Sequence, residues 1–166
     1  GSMPVHRRGL HLVLALGLLA GSEGHGEVLR WVLIGDTGSN CEYVDPDEPR
    51  DVWLEQIGRG QQAQVAYHLA QVVREEDVRD IFFLGDNFYP DGLVQGPVGD
   101  ACLELAFSAP YADLLPPEHL HMVPGNHDYY TEGSVGREAA LSGKLWTYST
   151  RPALLHLAPG LLDVVL

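Results

Sequence analysis

The stretch I-F-F-L-G-D-N-F-Y-P-D-G, residues 81–92, decides how the chain is read. Four apolar residues (Ile81, Phe82, Phe83, Leu84) stop at Gly85. A carboxylate, an amide, an aromatic ring and a phenol follow, and Pro90-Asp91-Gly92 turns the chain away. Such a run reads as a buried strand, and its ending places a hard oxygen ligand at the carboxyl edge of a sheet, where α/β proteins build sites. Two endings of the same kind flank it: Val32-Leu33-Ile34-Gly35-Asp36 before, and Met122-Val123-Pro124-Gly125-Asn126-His127-Asp128 after.

Outward from these strand ends, residues 27–34 read as the first strand and residues 60–77 as the clearest helix. Ala63, Ala66, Tyr67, Ala70, Val72 and Val73 form its apolar stripe. A helix between two strands with no tight hairpin argues a β-α-β crossover and a parallel pair. Asp100 is expected to cap a helix running to about Phe107, and residues 119–123 read as the third strand. His119 and His121 lie upstream of that strand's end, and alternation turns both to one face, so they read as structural rather than as ligands. A short helix after Arg137 and strands at 144–148, 153–157 and 161–166 complete the reading. The loop at 39–58, with Pro46, Pro49 and several acids, lacks the order of an EF-hand and reads as a solvated segment.

The 166 residues amount to about one domain. A net charge of −13 gives no general attraction to nucleic acid or to an anionic membrane. Residues 1–22 read as a cloning scar (Gly1-Ser2 ahead of Met3) followed by an export signal. His6-Arg7-Arg8 is its basic region, residues 10–20 form an apolar stretch too short to span a bilayer, and Ala20 and Ser22 suit cleavage. Residues 23–166 then form the domain, secreted and without a stable membrane anchor. Cys41 and Cys102 could pair or stay free; neither has the spacing of a zinc site.

Asp36, Asp86, Tyr89, Asn126 and His127 require a joint explanation. Two carboxylates converging at neighbouring strand ends repel one another unless protonated or neutralised by a cation. A metal pair about 3.5–4 Å apart sharing one carboxylate resolves this and makes a phosphoryl-transfer site. Asn126 adds a neutral carbonyl oxygen. A phenolate from Tyr89 favours a strongly Lewis-acidic metal such as ferric iron. Gly35, Gly85 and Gly125 are expected to permit the tight backbone that aims each following side chain inward.

The order G-D-T-G, G-D-N-F-Y, G-N-H-D resembles the calcineurin-like metallophosphoesterase superfamily, and within it the small, tartrate-resistant type of purple acid phosphatase. Gly38 in the first motif and Tyr89 three residues after Asp86 carry the narrower likeness. The resemblance implies an α/β fold, a layered β-sandwich flanked by helices with its site on edge loops. It implies that Asp36 and Tyr89 hold Fe(III), that Asp86 bridges to a second divalent metal (Fe, Zn or Mn), that Asn126 binds that second metal, and that His127 contacts the substrate phosphate. The implied reaction is in-line attack on a phosphate monoester, a small molecule or a phosphoprotein, by a metal-bound hydroxide. Three further histidine ligands of that family, from V-x-x-H and G-H-x-H motifs, have no match here. The expectation is therefore the amino-terminal portion of such an enzyme, holding its metals weakly and impaired in turnover, with an unfinished sheet prone to self-association. The rival readings are another dimetal phosphoesterase (a nucleotidase or phosphodiesterase) and a non-catalytic binding or dimerising form.

Overall fold

The computed structural model describes residues 15–19, 29–38, 41, 44, 49, 51–52, 61–150, 154–158 and 162–165. Its centre is a sheet of five strands in the order β1 (Ala15–Leu19), β2 (Leu29–Ile34), β3 (Asp80–Phe83), β4 (Leu120–Met122) and β5 (Thr147–Tyr148). Strands β2 to β5 run parallel, and β1 pairs antiparallel with β2. A separate hairpin pairs β6 (Leu154–Ala158) with β7 (Leu162–Val165). The chain is thus a mixed α/β protein built on parallel strands.

Strand β3 reads as a continuous apolar run because both faces of a parallel sheet are covered. Ile81, Phe82 and Phe83 are all buried. Phe83 meets Phe107 and Tyr111 edge-on, while Phe82, its neighbour by alternation on the other face, stacks on His121 at 4.7 Å. Trp146 closes the first face against Phe88 and Phe107. His121 lies over Asp80: its Nε2 is 2.8 Å from Asp80 Oδ1, and His119 Nδ1 is 3.2 Å from the same oxygen. Burial alone would raise the Asp80 carboxyl, but the hydrogen bonds and charge of His121 and His119 outweigh it and hold Asp80 below the usual range.

Helix α1 (Gln61–Glu75) buries Gln62, Ala66, Leu69 and Val73, one face at helical spacing. Gln62 sits inside because its amide Nε2 donates to the Ala106 carbonyl at 2.7 Å. Tyr67, expected on the apolar stripe, is 61% exposed; it lies one position beyond the buried Ala66 and so faces away from the sheet. The helix ends where Asp77 enters the left-handed region at φ 50. There the Val78 N–H bonds back to the Val73 carbonyl at 3.2 Å, and buried Val78 seats the turn against the core.

Helix α2 (Pro97–Leu103) begins with Gly96 at φ 82 and Pro97 in the first turn, so Asp100 is no cap. Asp100 lies within the helix and pairs instead with Arg137. A π-helical turn, Glu104–Ser108, and a last helical turn, Ala109–Tyr111, continue it. Helix α3 (Ser134–Ala140) starts ahead of the expected Arg137. Strand β5 is shorter than the 144–148 expected, since Trp146 is drawn inward and bridges Ser142 rather than β4. Strand β1 falls within the stretch read as an export signal; the rest of residues 1–22, and most of the 39–58 loop, lie outside the described residues. Among the described residues no helix is long and apolar enough to cross a membrane.

Cys41 and Cys102 form a disulfide that ties the segment after β2 to α2 across a sequence separation of 61. Replacing both cysteines by serine is expected to destabilise the fold by about 2–4 kcal/mol, read as a lower urea midpoint, because the unfolded chain regains the freedom that loop closure removed.

Candidate metal centre

The site grows from three parallel strands ending side by side. Beyond the strands, the backbone ladder continues through the loops. Leu84 N–H donates to the Ile34 carbonyl at 2.8 Å, Asp36 N–H to Gly85 at 3.2 Å, Gly38 N–H to Asp86 at 3.3 Å and Tyr89 N–H to Gly38 at 3.0 Å. On the other side Val123 N–H donates to the Phe83 carbonyl at 3.1 Å. Asp36 and Asp86, each directly after its strand-end glycine, occupy the left-handed region at φ 57 and φ 53. Non-glycine residues there are strained by about 1–2 kcal/mol each, and Asp is among the few that tolerate it.

The glycines divide by what surrounds them. A Cβ on Gly85 would stand 2.6 Å from Gly125 Cα, one on Gly125 only 2.3 Å from Asp86 N, and one on Gly38 only 2.0 Å from the Asn87 carbonyl oxygen. Gly35 has no such need, its nearest neighbour being Leu84 Cβ at 3.8 Å. The expectation that Gly35 supplies the tight turn is therefore corrected: Asp36 itself takes the left-handed conformation, and close approach falls on Gly38, Gly85 and Gly125.

Asp36, Asp86 and Tyr89 meet at one point. The Tyr89 phenol oxygen lies 2.6 Å from Asp36 Oδ1 and 2.7 Å from Asp86 Oδ2. One hydroxyl proton thus serves two carboxylates, which would otherwise face each other as like charges. Burial, followed by the hydrogen bonds and charges of Asp36 and Asp86, pushes the Tyr89 phenol above its usual range. Asp86 receives a further bond from the His127 N–H at 3.0 Å on its other oxygen.

His127 follows the end of β4, its ring 4.4 Å from that of Tyr89 and 4.6 Å from that of Tyr130. Its Nδ1 is 2.6 Å from the Pro90 carbonyl oxygen. A carbonyl can only accept, so Nδ1 carries the proton, and Nε2 is left as the nitrogen for an outside partner. Asn126 stands on the same turn but its Nδ2 donates to the Tyr130 hydroxyl at 3.0 Å rather than to the carboxylates. The structure therefore gathers Asp36, Asp86, Tyr89 and His127 closely and sets Asn126 at the rim, exposed.

Asp128, the last residue of the G-N-H-D ending and assigned no role from its position, holds this frame. It is fully buried and accepts from the backbone N–H of Gly125 at 2.7 Å, Asn87 at 3.0 Å and Phe88 at 3.1 Å, and from Asn87 Nδ2 at 3.2 Å. Burial nevertheless raises its carboxyl, against the pull of those N–H groups. Behind Asn87 stands Glu138, also fully buried, 3.4 Å from the same Nδ2. Asp128 closes the G-N-H-D ending, but Glu138 lies on α3, away from every strand end.

Among the described residues no cluster of three His, Cys, Asp or Glu side chains is poised around one cation. The donor set here is two carboxylates and a phenol, all hard oxygens within hydrogen-bond distance, with an amide at the rim. That chemistry fits a small, highly charged cation, which can replace the phenolic proton and offset both carboxylates at once.

Comparison with known proteins bears on the family. The calcineurin-like phosphoesterase family model matches residues 29–158. Purple acid phosphatase 7 of Arabidopsis thaliana is 32% identical over 102 residues, covering 61% of this chain and 30% of that protein. Purple acid phosphatase 4 of the same plant is 33% identical over 90 residues, covering 54% and 25%. The chain thus spans less than a third of these relatives' length. It belongs to the calcineurin-like phosphoesterase family.

Substituting alanine at Gly125 is expected to destabilise the protein by about 2 kcal/mol or more, since the new methyl must displace the Asp86 backbone. Gly35→Ala, with open contacts, should stay within about 1 kcal/mol of the parent; urea unfolding of the two variants checks the contrast.

Proposed function

We propose that this calcineurin-like phosphoesterase is a phosphate monoesterase of the purple acid phosphatase type. Asp36 and Tyr89 would hold ferric iron, Asp86 would be shared with a second divalent cation, and Asn126 would complete the second site from the rim. The single observation behind this reading is the placement of the Tyr89 oxygen at 2.6 and 2.7 Å from the two carboxylates. A tyrosine that merely packed would have no reason to desolvate its hydroxyl between two acids. When bound, the cations supply Lewis-acid activation of water and neutralise charge on the phosphoryl oxygens.

The chain's own residues do the rest. The bond from the His127 N–H keeps Asp86 turned to the shared position. The bond from His127 Nδ1 to Pro90 fixes the imidazole ring beside Tyr89, so that Nε2, when the ring is an imidazolium and both nitrogens carry protons, would donate to a phosphoryl oxygen. A second reading, another dimetal phosphoesterase, differs in lacking the phenol ligand, so Tyr89 discriminates. The disulfide suits the export read from residues 1–22, because oxidised pairs persist outside the cytosol.

Titration of the protein with ferric iron is expected to give a visible tyrosinate-to-iron absorption band, absent in Tyr89→Phe. A band that survives in Tyr89→Phe rules out the assignment. Hydrolysis of an aryl phosphate by the iron-loaded protein should fall by roughly a hundredfold or more in Asp86→Asn, as the cations lose their shared carboxylate.

A further inference from the structure

We propose that Glu138 is a positioning residue for the site: as a neutral carboxylic acid it clamps Asn87, and with it the loop at residues 85–89, to α3 and β5. The clamp rests on contacts around a side chain with no solvent exposure. Oε2 lies 2.8 Å from the Tyr148 hydroxyl on β5 and 3.4 Å from Asn87 Nδ2 in the loop, and Oε1 lies 3.2 Å from Ser134 Oγ on α3. Ser134 Oγ also accepts the Leu93 N–H at 2.7 Å, and the Trp146 indole N–H donates to the Glu138 carbonyl at 3.1 Å. One residue therefore joins α3, β5 and both ends of the turn that follows Tyr89. Asn87 carries this to the site through its neighbours Asp86 and Phe88.

The neutral form follows from the surroundings. Asn87 Nδ2 has two protons and three acceptors about it: the Val123 carbonyl at 2.8 Å, Asp128 Oδ2 at 3.2 Å and Glu138 Oε2. Two of the three are carboxylates, out of water, with only an amide between them. A second full negative charge there would have hydrogen-bond donors but no cationic partner among the described residues. Tyr148 and Ser134 can each accept as well as donate, so a protonated Glu138 keeps its contacts by giving its own O–H to one of them. The groups facing it agree. Burial first, then the charge of Asp128, pushes Glu138 up to about 8, and Tyr148 is pushed up by burial and by Glu138 itself, with Asp128 and Tyr129 adding. Arg137 on the same helix turns to Asp100 instead.

The folded protein holds the Glu138 proton more tightly than the unfolded chain. This contribution is thus complete below the ordinary glutamate range near 4.5 and is lost as pH rises through about 8. The site's role in phosphoester hydrolysis rests on the function proposed above; the clamp does not.

The test compares melting between about pH 5 and about pH 9, and backbone amide exchange, for the metal-free parent, Glu138→Gln and Glu138→Ala. Glu138→Gln, neutral and of the same shape, should melt like the parent at acid pH and lose most of the parent's fall in Tm toward alkaline pH. Glu138→Ala should speed exchange at Asn87 and Phe88 by about tenfold or more relative to Val32. If Glu138→Ala does not fold, Tyr148→Phe, which removes one strap, takes its place with the same expected direction. An unchanged alkaline fall in Glu138→Gln overturns the neutral clamp, as does exchange at Asn87 and Phe88 no faster than at Val32. Absence of an iron band in the parent would sink the phosphatase reading alone, since none of these readouts needs metal.

Discussion

The structure of the site depends on one buried carboxylate, that of Asp128, filling the gap between two strand-end loops. Its oxygens gather N–H groups from Gly125 on one loop and from Asn87 and Phe88 on the other. Loops that leave a parallel sheet have no ladder partner of their own, and their N–H groups must be satisfied if they are to stay out of water. Asp128 satisfies three at once. The same bonds hold Gly85 and Gly125 so close that neither has room for a side chain. Tight packing of the loops and the aim of Asp86 are thus two results of one set of hydrogen bonds.

Much of this was legible in the sequence because it followed from short-range rules. The run Ile81, Phe82, Phe83 announced a strand covered on both faces, and the Gly-Asp endings announced a common edge. What escaped depended on contacts between distant segments. Tyr67 fits an apolar stripe by type, but only the direction of α1 against the sheet decides that Leu69 and Gln62 lie inside instead. Gln62 could not be read as core without knowing that the Ala106 carbonyl awaited it. Asp100 looked like a cap by type, yet the turn at Gly96 and Pro97 had already begun the helix.

The candidate site divides in the same way. Asp36, Asp86 and Tyr89 were readable because each sits at a fixed offset from a strand end, and they do converge. Asn126 obeys the same offset, but its amide is held by Tyr130, a residue no spacing rule connects to it. The burial of Asp128 and Glu138 was invisible for a further reason. Acids in a turn and on a short helix are ordinary at a surface, and only the fold shows these two to be fully buried.

Four acids (Asp36, Asp86, Asp128 and Glu138) therefore cluster around one loop, and two protons keep the cluster from repelling itself. They are not equivalent. The proton on Tyr89 lies at the partly exposed mouth, between carboxylates whose geometry a cation can take over. The proton inferred on Glu138 lies behind Asn87, on a side chain with no solvent exposure. A single loop thus faces one shared hydroxyl proton on its outer side and one neutral acid on its inner side. This order matters: the inner proton strengthens the hold on the loop that Asp128 shapes, and that loop presents Asp86 and Tyr89 together. The left-handed backbone of Asp86, strained in isolation, is stable here because both sides of the loop are pinned.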